Sequence, residues 1–454
     1  MHSLLNNIYS RKYILDVFSL MLFISVSICF QESYKLAFFL VIGISIYQFY
    51  RLKKEIITKN YFFTTYFYLL IYSSVFYGSM HKIILIILLA FFWFFIKKEK
   101  REKKKHKNYY PEILVLVLFG VIFLSTLIFT PRLKSIDIYI YYLLIPLLFI
   151  NIKKNGFQFS VLKSMKVLIT SILIVSFLLL FMNLYFNTFS MSINTFFSKY
   201  LEVTHVYYGM FLGICISFIL ILNLNKNNYI NVYVDALIVI LFSLLLLYIG
   251  ARISFMAIMF VLLIFAFQKL TLPMYFKTPL FIIILFSLLF FGGKTPRFQK
   301  GIKGIEKVYE SVKTNNKKDI VANSWSNMYQ RFLVTKYTIE EIKNHYIFGI
   351  GIQNVATKIS KKIRKDGYIY FETINPHNQY LHFMVGLGIF GFIYFIYMLC
   401  VFLKGTTNFT FLFILFFLIT MLTESILVRG KGMSLFFLFT LSFLMDKTFN
   451  TVND

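Results

Sequence analysis

Long apolar runs are the feature that most constrains this chain. Runs of about 16 to 24 residues recur along its length and are separated by short polar breaks. A bilayer core about 30 Å thick takes roughly 20 helical residues to cross. Only helices satisfy their own backbone hydrogen bonds in lipid, and no alternating barrel pattern is present. The sequence therefore predicts an all-α, polytopic integral membrane protein.

We predict twelve to fourteen membrane helices. The three cysteines, Cys29, Cys215 and Cys400, all lie within apolar runs, which disfavours a disulfide framework and a zinc site. No apolar run ends at a small-residue cleavage site, so the first span is expected to remain as an anchor. The fourteen candidate spans are residues 13–30, 34–50, 61–77, 81–96, 112–130, 136–150, 163–186, 204–222, 232–249, 253–268, 279–293, 379–403, 408–423 and 432–446.

Charge in the loops predicts the orientation. With the N-terminus inside, the inner connecting loops hold more than twice as many Lys and Arg as the short outer loops. Positive charge favours the cytoplasmic side, so both termini are predicted to be cytoplasmic. The basic run at residues 97–107 belongs to this signal and is expected to meet anionic lipid. The net charge of +28 is therefore no sign of a nucleic-acid partner.

One outer segment differs from the short loops. Residues 294–376 form a large outer loop with 16 Lys and Arg against 7 Asp and Glu, which favours anionic partners. It divides the chain into membrane helices at 1–293, the loop itself and membrane helices at 377–454. Within the loop, Gly349 and Gly351 are interpreted as a turn. An amphipathic helix is predicted from Trp325, Met328, Phe332, Thr335 and Ile339, spaced three or four residues apart, with Asn323 or Ser324 as its cap.

The segment "INPHNQYLHFMVGLGIFGFIYFIY" opens the span after this loop. Asn375 and Pro376 suit the cap and first position of a helix, so His377 is expected in its first turn. The positive end of a helix disfavours imidazolium, which leaves a neutral ring able to act as a general base. The alternative is an interfacial His of an aromatic belt. The glycines at 386, 388 and 391 are expected to let another helix approach closely.

Two arginines on the same face are candidates for binding phosphate. Arg252 follows Gly250 and Ala251 at the reversal between two spans, where a cation opposes the helix dipole. Arg331 lies on the amphipathic loop helix. A guanidinium presents paired donors that match phosphate oxygens. Snorkelling at Arg252 and simple solvation at Arg331 are the alternatives.

These segments resemble the O-antigen ligase and polymerase superfamily over roughly residues 200–446. The resemblance implies a GT-C-type membrane glycosyltransferase in which Arg252, Arg331 and His377 are the functional residues. Ala251 departs from the family's usual small hydroxyl residue. The segments "THVYYGMF" and "LTESIL" also resemble segments of bacterial relatives. Five further residues are expected to bind substrate: His205, Tyr207, Asn378, Tyr380 and Glu424.

The resemblance implies a bacterial inner membrane, with the large outer loop in the periplasm, and a glycan donor on undecaprenyl pyrophosphate. Two arginines would neutralise the departing pyrophosphate and His377 would deprotonate the acceptor hydroxyl. No cofactor and no metal is expected. An O-antigen ligase would use lipid A-core as acceptor, and this is the favoured interpretation. A polymerase would use a second lipid-linked glycan, and a lipid-linked glycan flippase is a further alternative that would not need the large loop.

Overall fold

The structure is a computed structural model that describes residues 34–75, 78–95, 108–129, 133–185, 204–224, 226–249, 251–269, 327–366, 375–407 and 410–446, with isolated positions 303, 306 and 310. This part of the chain is 84% helical and contains no strand. The prediction of an all-α, polytopic membrane protein is confirmed. The predicted spans at 13–30 and 279–293 lie outside the described residues.

Fourteen α-helices make up the described fold. They are α1 (Tyr34–Lys53), α2 (Lys59–Ser73), α3 (Gly78–Phe95), α4 (Tyr110–Phe129), α5 (Tyr141–Asn155), α6 (Val161–Tyr185), α7 (His205–Leu224), α8 (Val232–Ile249), α9 (Arg252–Lys269), α10 (Asn327–Asn344), α11 (Val355–Lys365), α12 (Gln379–Gly405), α13 (Phe411–Met421) and α14 (Gly430–Met445). Short 3₁₀ helices precede α5 (Leu133–Ile140) and α14 (Ile426–Val428).

Six described helices are long and apolar enough to cross a bilayer, and four shorter apolar helices accompany them. Helix α7 is the central one, since 78% of its apolar window is buried, against 28% for the peripheral α8. Its Phe218 packs against the rings of Phe413, Phe439 and Phe443 from α13 and α14. The core is therefore built around α7, α13 and α14. The loop between α13 and α14 contributes to the candidate site.

Helices α10 and α11 pair within the predicted outer loop and form their own small core. Ile359 and Ile363 of α11 pack with Leu333 and Val334 of α10, and Val385 of α12 joins them. The prediction of which residues form the apolar face of α10 is wrong, because Phe332 and Ile339 are exposed. The buried face is instead Leu333, Val334, Tyr337, Thr338, Glu341 and Ile342, because this face meets both α11 and α12. Trp325 and the predicted caps Asn323 and Ser324 lie outside the described residues.

Helix α12 is broken at Gly388, where φ is 69° and ψ is −172°. The ring of Phe395 lies 4.5 Å from that of Phe383 and 6.2 Å from that of Tyr380. In a continuous helix residues 380 and 395 would be about 22 Å apart along the axis. The two arms of α12, residues 379–387 and 389–405, therefore fold towards each other, and the predicted single span at 379–403 is bent near its outer end.

The predicted close approach at the glycines occurs, but loop backbone makes it rather than a helix. Ile350 and Gly351 donate backbone hydrogen bonds to the carbonyls of Val385 and Gly386, at 2.9 and 3.1 Å. A Cβ on Gly388 would lie 2.1 Å from the Ile347 carbonyl oxygen. Gly349 and Gly351 have φ of 72° and 85°, as expected for the predicted turn. This loop therefore fills the bend of α12.

Candidate active site

His377 lies immediately before α12, not in its first turn. The cap is Asn378, whose side-chain oxygen accepts from the backbone N–H of Leu381 at 3.0 Å. The expectation that Asn375 and Pro376 begin the helix is therefore wrong. His377 has φ of 51°, in the left-handed region that few residues other than glycine adopt. This backbone turns the imidazole away from the helix and towards the loop between α13 and α14.

Glu424 joins the two predicted functional residues that the structure describes. One of its carboxylate oxygens lies 2.7 Å from a terminal nitrogen of Arg331. The other lies 3.2 Å from Nδ1 of His377. The Glu424 side chain is only 11% exposed, whereas Arg331 and His377 are 35% and 36% exposed. A buried carboxylate thus holds a cation and an imidazole, both of which face outward.

The pKa of Glu424 reflects these two partners. Burial raises the pKa of its carboxyl, but the hydrogen bonds and charges of His377 and Arg331 lower it by more. The net pKa lies below the ordinary carboxyl value, so the group is an anion at neutral pH. A carboxylate only accepts hydrogen bonds, so Nδ1 of His377 must carry the hydrogen between them. In a neutral ring this leaves the Nε2 lone pair available to accept a proton.

Arg331 is fixed by a second contact as well. Its other terminal nitrogen donates to the backbone carbonyl of Thr423 at 3.1 Å. A guanidinium has five N–H donors in a planar fork, and these two bonds use two of them. Because the side chain is about one-third exposed, the remaining edge of the fork can meet an anion beside His377.

The predicted substrate-binding residues Asn378 and Tyr380 make contacts within the protein. The Asn378 amide donates to the Leu422 carbonyl at 2.8 Å while its oxygen caps α12. The Tyr380 hydroxyl donates to the Leu418 carbonyl at 3.2 Å. Both side chains therefore fasten the first arm of α12 to α13. A substrate contact from either remains a prediction.

Tyr207 lies near Glu424. Its hydroxyl is 3.5 Å from the Ser425 carbonyl, and it interacts with the guanidinium of Arg429. Tyr207 and Glu424 also line a small pocket together with Ile253 and Ser254 at the start of α9. This pocket is thus bounded by the first turns of α7 and α9 and by the loop after α13.

Arg252 and His205 are the first residues of α9 and α7, next to residues that line this pocket. Their side chains are outside the described part of the structure. Ser254, in the first turn of α9, lines the same pocket as Glu424, so the start of α9 lies beside Glu424. Their predicted roles in the reaction remain predictions.

The sequence interpretation missed Arg429, a further arginine at this site. Arg429 is exposed and precedes the first turn of α14, where its charge acts on Tyr139, Tyr207 and His382. A signal for it was present. A cation at a helix N-terminus opposes the dipole, which is the argument that singled out Arg252.

Gln379 is a second residue that the sequence interpretation missed, and its role is to position the loop. It is fully buried, and its side-chain oxygen accepts from the backbone N–H of Leu427 at 2.6 Å. It therefore ties the start of α12 to the segment between Glu424 and Arg429. Among the residues that the structure describes, no group of three or more His, Cys, Asp or Glu side chains is arranged to hold a metal ion.

The family model described as O-antigen ligase matches residues 236–396. The matched segment runs from α8 into the second arm of α12 and contains Arg252, Arg331 and His377, while Glu424 and Arg429 lie beyond it. The match supports the superfamily that the sequence resemblance indicated. A search of curated proteins finds no match to the chain.

Proposed function

We propose that this protein, which matches the O-antigen ligase family model over residues 236–396, transfers a glycan from undecaprenyl pyrophosphate to an acceptor hydroxyl at the outer face of the inner membrane. The carrying observation is the Glu424 carboxylate that joins Arg331, at 2.7 Å, to His377, at 3.2 Å. His377 can remove a proton and Arg331 can bind an anion. Both functions are needed when a hydroxyl attacks a sugar and pyrophosphate leaves it.

The proposed reaction has one bond forming and one breaking at the donor sugar. Nε2 of His377 takes the proton of the acceptor hydroxyl, and the hydroxyl oxygen attacks the anomeric carbon. The bond from that carbon to the pyrophosphate oxygen breaks, and undecaprenyl pyrophosphate leaves with the electron pair. Glu424 orients the imidazole and stabilises the imidazolium that forms.

Arginines would take up the charge of the leaving group. Arg331 presents its remaining N–H donors beside His377, and Arg429 contributes an exposed cation from the start of α14. Arg252 is proposed to complete the set from the start of α9. Fixed cations aimed at developing negative charge stabilise the transition state without reorganisation. The proposal therefore assigns the neutralising role to guanidinium groups, and no metal or cofactor enters the reaction.

The favoured acceptor is a sugar of lipid A-core, which makes the protein an O-antigen ligase. The same chemistry with a second lipid-linked glycan would make it a polymerase. The proposed roles of these residues concern the donor and the proton of the acceptor hydroxyl, so they are the same for both acceptors. The acceptor therefore has to be identified by assay.

The test is glycan transfer by purified His377→Gln protein. Gln preserves the polar tip of the side chain but is not basic, and loss of a general base typically lowers the rate by about 10²- to 10⁴-fold. Donor and each of the two acceptors are supplied separately, so the same assay distinguishes ligase from polymerase.

His345→Gln is the matched control. His345 forms another histidine–glutamate pair, 3.3 Å from Glu341. It follows the end of α10, fourteen residues after Arg331, or about 20 Å along the helix axis. It should retain transfer at the wild-type rate. Wild-type transfer by His377→Gln would refute the base assignment, and equal loss in both variants would show that the effect is not specific to the site.

A further inference from the structure

Three consecutive apolar residues are exposed on the turn between α10 and α11. Tyr346, Ile347 and Phe348 are 50%, 52% and 72% exposed. The neighbouring positions Ile342 and Ile350 are buried in the small core of these two helices. We call residues 346–348 the hairpin tip. An exposed aromatic and aliphatic run of this kind in a loop is uncommon unless a partner covers it.

Backbone hydrogen bonds hold the hairpin tip on both sides. The Tyr346 carbonyl accepts from the backbone N–H of Ile389 at 2.9 Å. After the tip, Gly349 donates to the His345 carbonyl at 2.9 Å, and Ile350 donates to that of Val385 at 2.9 Å. The exposure of the tip is therefore built into the fold rather than the result of a loose loop.

The hairpin tip adjoins surfaces of membrane helices that are also apolar and exposed. Ile389, which binds the tip, begins the second arm of α12, and the next residue, Phe390, is 67% exposed. On the other side, a Cβ on Gly351 would lie 2.6 Å from Cβ of Phe129, the last residue of α4. Ile128, beside it, is 73% exposed. In a membrane protein such faces of the spanning helices meet lipid.

We propose that the hairpin tip inserts into the outer leaflet and anchors the α10–α11 hairpin to the membrane surface. Bilayer lipid is the partner that covers the tip, because the tip adjoins the exposed apolar surfaces of α4 and α12. The residue that joins it to α12, Ile389, is itself apolar. Tyr346 suits the boundary region, where tyrosine is enriched. The anchor fixes the far end of the helix that carries Arg331.

The experiment measures where the tip lies and does not use transfer activity, so it stands independently of the proposed reaction. A spin label is attached to Phe348→Cys, in a background without Cys29, Cys215 and Cys400, and the protein is placed in phospholipid nanodiscs free of polyprenyl lipid. Accessibility to oxygen, which concentrates in lipid, is compared with accessibility to a water-soluble nickel chelate.

Phe390→Cys is the lipid control and Lys361→Cys, on the exposed face of α11, is the water control. The Phe348 label should resemble that at Phe390. A label that resembles Lys361 would overturn the proposal. So would a label that becomes lipid-like only after polyprenyl phosphate is added, because the tip would then bind the carrier. If the cysteine variant does not fold, a benzoylphenylalanine at position 348 in the native background should cross-link to phospholipid, and its failure to do so would equally overturn it.

Discussion

His377 combines a strained backbone with a fixed side chain. A left-handed conformation at a residue other than glycine persists when its surroundings determine it, and such residues cluster at functional sites. Here the next residue caps α12 and the imidazole is bonded to Glu424. Sequence reasoning selected His377 and Arg331 from motifs and Glu424 from the segment "LTESIL". It could not foresee that Glu424 joins the other two, because the three residues come from three separate segments: helix α10, the residue before the cap of α12, and the loop after α13.

Glu424→Gln should lower transfer by about 10²-fold or more, because the neutral amide stabilises an imidazolium far less than a carboxylate does. The measurement is the transfer rate at saturating donor. Glu341→Gln, which changes the other histidine–glutamate pair, is the control and should transfer normally. A Glu424→Gln protein with an unchanged rate would show that the carboxylate has no part in positioning the base.

The pH dependence of thermal stability tests the pKa of Glu424 with the same variant. The folded protein lowers the pKa of Glu424 below its ordinary value of 4.5, so the carboxylate stabilises the fold above that pH. This stabilisation is lost as pH falls from 4.5 through the lower folded value. Wild-type protein should therefore lose thermal stability over that acidic window, and Glu424→Gln should lose less. Parallel curves for the two proteins would contradict the pKa direction.

The bend in α12 is the main feature at the scale of elements that the sequence did not predict. Glycines in a membrane span usually indicate close helix packing, and the apolar run across Gly388 reads as one helix. The bend depends on loop 345–352, nearly forty residues earlier, whose backbone occupies the space beside Gly386 and Gly388. Length and local apolar spacing do predict a helix at α10 and most spans. They do not predict which face of α10 is buried, because α11 and α12 determine that face.

Gly388→Ala should destabilise the protein strongly. Its Cβ would lie 2.1 Å from the Ile347 carbonyl oxygen, at φ of 69°. The backbone cost alone is about 1 to 3 kcal/mol. The control is Gly120→Ala in α4, where a Cβ would meet nothing within 4 Å. Apparent melting temperature in detergent is the measurement. A Gly388→Ala protein as stable as Gly120→Ala would mean that the bend is not fixed by the loop.

Hydrogen bonds between distant parts of the chain join loops and helix ends that are predicted to lie on the same side of the membrane. On the predicted inner side, Lys153 bonds to the Asn108 carbonyl and Lys166 to that of Asn228. On the predicted outer side, Asn354 bonds to the Phe129 carbonyl and Lys431 to that of Val75. Which group faces the cytoplasm is not a matter of packing. It rests on the loop charge bias and remains a prediction.

Labelling of single cysteines in intact cells tests that orientation. Lys361→Cys on α11 should react with an impermeant maleimide, while Lys54→Cys, in the loop after α1, should react only after the cells are opened. Both positions are exposed, so accessibility to the reagent is decided by the membrane. The reverse pattern would invert the map and move the candidate site to the cytoplasmic side.

The position of Glu424 along the chain has a consequence for biosynthesis. Arg331 and His377 are translated first, and the carboxylate that joins them follows about fifty residues after His377, between the last two described helices. A chain is made and inserted from its N-terminus. During synthesis the arginine and the histidine therefore lack their shared partner until α13 and α14 enter the membrane. If the proposed site is correct, a partly inserted chain cannot assemble it, and transfer activity is expected only after α13 and α14 have entered the membrane.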